Sequence, residues 1–180
     1  PMNSASIVGQ LTADKPNKKV GAVLKPCEIR AFVELVKLGQ ARRENLTIIG
    51  TDCLGTYEVE DYAGFIDGKE GQENEKGAKI LAEMRINIHQ PGSGSPSLSL
   101  RPACRMCHIF TPTLEDVNLS LYGDGEEITL TLENELSEKL GLEIKEKPDR
   151  QKAIDHLLTI RTVLREKVFS ELREKMKTVN

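Results

Sequence analysis

A chain of 180 residues, 38% hydrophobic and 29% charged, can bury one ordinary core or a core with a small satellite, so a single domain is expected. Its formal net charge of -3, with both signs interspersed, offers no basic surface for nucleic acid or an anionic membrane. No run of about eighteen apolar residues occurs and no apolar segment follows a basic N-terminus, so neither a membrane span nor a signal peptide is read and a cytoplasmic location is expected.

Pro1 stands ahead of Met2, which suggests a portion taken from a longer protein. After a polar lead through Lys18 and Lys19, Val20-Gly21-Ala22-Val23-Leu24 is an apolar run of strand length stopped by Pro26. Ile29, Phe32, Val33 and Val36 then recur at i, i+3, i+4 and i+7, the spacing of one helix face, until Gly39 or the Arg42-Arg43-Glu44-Asn45 stretch. Leu46-Thr47-Ile48-Ile49-Gly50-Thr51 is β-branched and apolar, a second buried strand. Strand, helix and strand make a right-handed βαβ unit over 18–66, with both strands ending on one sheet edge.

An acidic, glycine-bearing excursion follows, then a short helix over 78–88 and a Pro/Gly/Ser linker over 89–97, together 67–100. The segment 101–148 holds a cysteine pair and two alternating strands, Val117-Asn118-Leu119-Ser120-Leu121 and Glu127-Ile128-Thr129-Leu130-Thr131-Leu132, turned by Gly123-Asp124-Gly125. A short helix over 134–140 closes at Gly141. From Asp149 to about Lys175, within 149–176, Leu157, Ile160, Leu164, Val168 and Leu172 mark a long amphipathic helix that covers the core or docks a partner. The expected fold is α/β: a parallel βαβ core, an added hairpin and a long C-terminal helix.

The chemistry lies in four cysteines, Cys27, Cys53, Cys104 and Cys107. Cytosolic thiols are seldom structural disulfides, which directs them toward metal, cluster or redox duty, although inert buried thiols are the plain alternative. Cys27 and Cys53 fall at the ends of the two parallel strands, and the carboxyl edge is where open α/β sheets place ligands. Cys27 also opens a helix, where free N–H groups and the dipole favour the thiolate.

One reading is a 4Fe-4S cluster on all four thiolates, at a spacing unlike a bacterial ferredoxin. Closing each long loop costs roughly 3 kcal/mol, against about 10–16 kcal/mol from a thiolate-metal site, so distant ligands are no obstacle. A second is structural zinc on the same thiols, or with His108 replacing one, in a protein-interaction module. Cys104-Arg105-Met106-Cys107-His108 also matches the c-type haem pattern, but it lacks an export signal and leaves two cysteines unexplained. A thioredoxin-like dithiol suits poorly a pair bracketed by Pro102 and Pro112. His89 and His156 have no ligand partner at helical spacing. Nucleotide-binding glycine motifs, hydrolase motifs and repeats are absent, so any activity would come from a cofactor. Lys25, Gly55 and Thr56 share the predicted edge with the cysteines, where they are either ordinary loop residues or a cation and backbone N–H groups that could meet a phosphate or a cluster sulfide.

Three segments carry a resemblance: Lys25-Pro26-Cys27-Glu28-Ile29-Arg30-Ala31, Ile48-Ile49-Gly50-Thr51-Asp52-Cys53-Leu54-Gly55-Thr56, and Cys104-Arg105-Met106-Cys107 with Leu114-Glu115-Asp116-Val117 after it. In order and content they resemble the C-terminal domain of the beta subunits of coenzyme F-420-reducing hydrogenase and F-420-dependent formate dehydrogenase. The chain departs from that pattern at Asn118-Leu119-Ser120-Leu121-Tyr122-Gly123 and at His108. The resemblance implies an iron-sulfur flavoprotein subunit that binds FAD and passes electrons between the clusters of a redox partner and a deazaflavin. It implies the four cysteines as cluster ligands, and a domain that does not turn over alone.

Overall fold

Each of the first two predicted strands forms, and they pair as neighbours. Strand β1 (Val20–Leu24) lies parallel to β2 (Leu46–Thr51), with Leu24 opposite Gly50, in a computed structural model that describes residues 3–13, 18–60, 63, 100–122, 128–132, 137–139, 141 and 150–177. The chain divides into two compact units, Pro1–Cys53 with Ile109–Asp149, and Leu54–His108 with Arg150–Asn180. The predicted helix over 78–88, the linker over 89–97 and the turn at 123–125 lie outside the described residues.

The first unit holds a four-stranded sheet in the order β1-β2-β3-β4. Strand β3 (Val117–Ser120) joins parallel to β2, and β4 (Thr129–Leu132) closes antiparallel on β3 with Val117 opposite Leu132, the hairpin expected from the alternating sequence. Between β1 and β2, helix α2 (Pro26–Lys37) buries Ile29 and Phe32, and it ends where Gly39 N–H donates to Val36 and Gln40 N–H to Leu35, the Schellman pattern. Helix α1 (Ser4–Ala13) packs against α2 and was not expected. Its N–H groups are capped by Asn3, whose Oδ1 accepts from Ala5 N at 2.9 Å.

The core of this unit gathers Ala5, Val8, Ala22, Leu24, Ile29, Phe32, Ala41, Leu46 and Ile48. Each large side chain in it contributes about 1.5–3 kcal/mol by leaving water. The strands are half-buried rather than buried on both faces, since Val23 is 58% exposed and Thr47 is exposed while Leu24, Leu46 and Ile48 are enclosed. The apolar run in β1 reflects β propensity as much as burial.

A close approach explains one glycine of β2. A Cβ at Gly50 would lie 2.7 Å from the Cβ atoms of both Glu115 and Pro112, so the segment leading into β3 rests directly on β2. Asp116 fastens the same segment: its carboxylate accepts from Ile48 N at 2.6 Å and from Arg43 Nη2 at 2.6 and 2.7 Å, and Arg43 Nη1 also donates to the Leu46 carbonyl.

The second unit contains the short helix α3 (Pro102–Arg105), opened by Pro102 in its first turn, and the long helix α4 (Gln151–Lys177), two residues off the predicted limits at each end. The two helices pack together. Ala153, Leu157 and Arg161 are the buried positions of α4, and Leu172 and Met176 are exposed at 47% and 71%. Tyr57 and Leu100 form an antiparallel bridge, and Arg101 ties the same two segments by donating from N to Thr56 O and from Nε to Tyr57 O.

Candidate functional site

No disulfide joins any of the four cysteines. In the first unit, Cys27 and Cys53 follow the carboxyl ends of the adjacent parallel strands β1 and β2, as the sequence suggested. Cys27 is exposed in the first turn of α2, next to Pro26. The entry to that helix is fixed by Glu28, whose buried carboxylate accepts from Lys25 N at 3.0 Å and Ser4 N at 3.3 Å and pairs with Lys25 Nζ at 3.5 Å. Burial pushes the Glu28 carboxyl up, but hydrogen bonds from Lys25 and Ser4 and the Lys25 ammonium outweigh it and hold the group below its ordinary range. Lys25, predicted to bind a cofactor, thus has a structural partner in Glu28.

Cys53 is gripped at both backbone polar groups. Its N–H donates to Phe110 O at 2.8 Å, and its carbonyl accepts from the Tyr122 hydroxyl at 2.8 Å. Tyr122 is 1% exposed and packs edge-on to Phe110 with ring centroids 5.7 Å apart. Beside it, the carboxylate of buried Asp52 accepts from the N–H of Leu121 at 3.0 Å and of Tyr122 at 3.4 Å, and Asp52 N donates to Leu119 O. Both of these donors reach the same oxygen, Oδ2. These contacts lock the turn after β2 to the turn after β3, so Cys53 occupies a defined place.

In the second unit, Cys104 lies in α3 and Cys107 just after it, with Cys107 N donating to Cys104 O at 3.3 Å. Both thiols are partly exposed. Thr56 Oγ1 is 3.2 Å from Cys104 Sγ, so a residue predicted from its sheet-edge position meets a candidate ligand atom directly. Gly55 has φ +111°, a conformation that L side chains rarely adopt, and a Cβ there would meet the flexible end of Leu100 at 2.9 Å.

Sequence reasoning missed Arg161. It is 4% exposed on α4, donating from Nη1 to Cys107 O at 3.1 Å and from Nη2 to Leu54 O at 3.2 Å. Its only sequence signal is a charge four residues beyond Leu157, on the stripe read as apolar. His108 is exposed, with Arg165 Nη1 3.0 Å from its Nδ1, and Arg165 lies over the Phe169 ring at 5.3 Å.

Among the described residues, no group of three or more His, Cys, Asp or Glu that could hold a metal ion is gathered. Each unit presents two thiols. The donor chemistry suits a thiophilic metal or an iron-sulfur cluster: the thiols are outside disulfides, one carries a hydroxyl at hydrogen-bond distance, and one opens a helix. No helix among the described residues is long and apolar enough to cross a membrane.

Residues 17–147 match the family described as the C terminus of the coenzyme F420 hydrogenase/dehydrogenase beta subunit, and the chain belongs to that family. It is also 27% identical over 140 residues to the F420-dependent formate dehydrogenase subunit beta of Methanocaldococcus jannaschii, an alignment covering 68% of this chain and 35% of that protein. The chain therefore spans about a third of the length of that curated relative.

Proposed function

We propose that the chain is the electron-transfer portion of a beta-subunit-type oxidoreductase, in which Cys27, Cys53, Cys104 and Cys107 hold one 4Fe-4S cluster. The observation that carries this reading is the placement of Cys27 and Cys53 just beyond adjacent parallel strands, in a chain of this family. When bound, the cluster supplies one-electron transfer. The chain's own residues fix the ligands: Tyr122 and Phe110 hold the Cys53 backbone, Glu28 sets the helix that presents Cys27, and Thr56 directs its hydroxyl at Cys104.

FAD and coenzyme F-420 belong in this reading to the whole subunit, with Lys25, Gly55 and Thr56 as this chain's contribution. Lys25 would exchange its 3.5 Å contact with Glu28 for a phosphate oxygen. The electron partner is another redox subunit of the hydrogenase or formate dehydrogenase kind. The test is cluster assembly in Cys53→Ala and Cys104→Ala: both variants fail to retain iron and sulfide if each cysteine is a ligand. Full occupancy in either variant removes the four-thiolate set, and zinc without sulfide in the native chain replaces it with a structural metal module.

A further inference from the structure

Arg161 has no part in the four-cysteine ligand set, yet its charge is buried. Burying a guanidinium is costly unless its donors are met, and a hydrophobic residue at a helix's packed position is ordinarily at least as stabilising. Arg161 nonetheless occupies the packed stripe of α4 that holds Ala153 and Leu157. Its two terminal nitrogens reach two different backbone carbonyls, 3.1 Å to Cys107 and 3.2 Å to Leu54. Cys107 is itself a candidate ligand, and Leu54 directly follows Cys53 in the chain. Beyond Leu54, Gly55 and Thr56 continue to Cys104 Sγ, so the fork joins the segment that carries the thiol-directed hydroxyl to the segment that carries both thiols.

We propose that Arg161 is a positioning residue for the candidate cluster, pinning Cys107 through its carbonyl and placing a permanent positive charge at the segment that carries Cys104 and Cys107; this rests on the four-thiolate reading. Two physical consequences follow. A planar fork with fixed donors holds two carbonyls at a set separation, which an ammonium on a flexible stem does less well. A guanidinium stays charged at any working pH, and its positive field favours the form of a bound cluster that has gained an electron. Charge and geometry thus have separable signatures: potential follows the charge, and retention of the metal follows the fork.

The experiment compares native chain, Arg161→Lys and Arg161→Gln after anaerobic reconstitution with iron and sulfide, reading metal content, thermal unfolding and midpoint potential by spectroelectrochemical titration. Arg161→Gln is expected to show at least a tenfold fall in the reduced-to-oxidised ratio at a fixed poise, which for a one-electron couple is about 59 mV. Arg161→Lys is expected to keep the native potential while losing iron to a chelator faster than the native chain. Should Arg161→Gln fail to fold, Arg161→Met, neutral and of similar length, takes its place. A folded, loaded neutral variant with the native potential overturns the proposal. So does failure of both neutral variants to fold while Arg161→Lys behaves as native, because the residue is then structural. If the native chain takes up neither iron nor sulfide, the four-thiolate reading falls and this inference falls with it; if the native chain loads and the variants do not differ, only this inference falls.

Discussion

Replacing Tyr122 with Phe removes a single oxygen from a side chain that is 1% exposed, leaving the ring and its edge-on contact with Phe110 in place. What is lost is the 2.8 Å bond from the hydroxyl to the carbonyl of Cys53. A net hydrogen bond is worth about 1 kcal/mol, and depriving a partly buried carbonyl of a donor raises the cost toward about 2 kcal/mol. The variant should therefore be less stable by about 1–2 kcal/mol. For a chain of this size about 1 kcal/mol corresponds to roughly 2–4 °C, so the melting temperature should fall by about 2–8 °C. Urea unfolding followed by circular dichroism gives the direct value, with a lowered midpoint at an unchanged slope. A loss under about 0.3 kcal/mol would show that Tyr122 does not brace Cys53, and a loss above about 4 kcal/mol would mean that the hydroxyl does far more than one bond allows.

Gly50→Ala should destabilise the first unit by about 1–3 kcal/mol, because the added Cβ meets Glu115 and Pro112 at 2.7 Å; a neutral result in chemical denaturation would contradict the close approach. Glu28 is held below its ordinary value of 4.5 in the folded chain, so on acidification the unfolded chain takes up this proton first. Its contribution is complete above the unfolded value and is lost as pH falls through the lower folded one. Glu28→Gln should accordingly be less stable than the native chain near neutral pH by about 1 kcal/mol, with the gap closing as pH falls below the ordinary carboxylate range. A gap independent of pH would assign the loss to packing. Asp116→Asn should weaken the attachment of β3 to β2 by less than about 1 kcal/mol, since the Arg43 pair is 40% exposed on the aspartate side and screened by water, and added salt should narrow the difference.

Much of the fold follows from patterns whose period is unmistakable. Two apolar runs of strand length around a helical stripe of Ile29, Phe32, Val33 and Val36 leave little choice but βαβ, and strict alternation over 127–132 sets β4. Helix α1 escaped because its buried face, Ala5, Val8, Gly9 and Thr12 at helical spacing, is mostly small or polar, while the larger apolar residues Ile7 and Leu11 are exposed. Its packing relies on close approach to α2 rather than on large side chains. The thiols were legible because cysteine is chemically distinctive and the strand ends fix where two of them fall. The bracing of Cys53 by Asp52, Phe110 and Tyr122 was not, because a buried polar side chain acquires meaning only from partners distant in sequence. Arg161 was hidden for a related reason: in a helix rich in charge, one arginine on the packed face looks like its solvated neighbours until its two carbonyl partners are known.

Whether four thiolates serve an iron-sulfur cluster is decided by the iron, acid-labile sulfide and zinc content of anaerobically prepared protein, with its visible spectrum before and after dithionite. Four cysteine ligands to one cluster predict about four irons and four sulfides per chain, with a broad absorption that dithionite bleaches. One zinc per chain without sulfide, undisplaced by anaerobic reconstitution with iron and sulfide, would contradict that assignment.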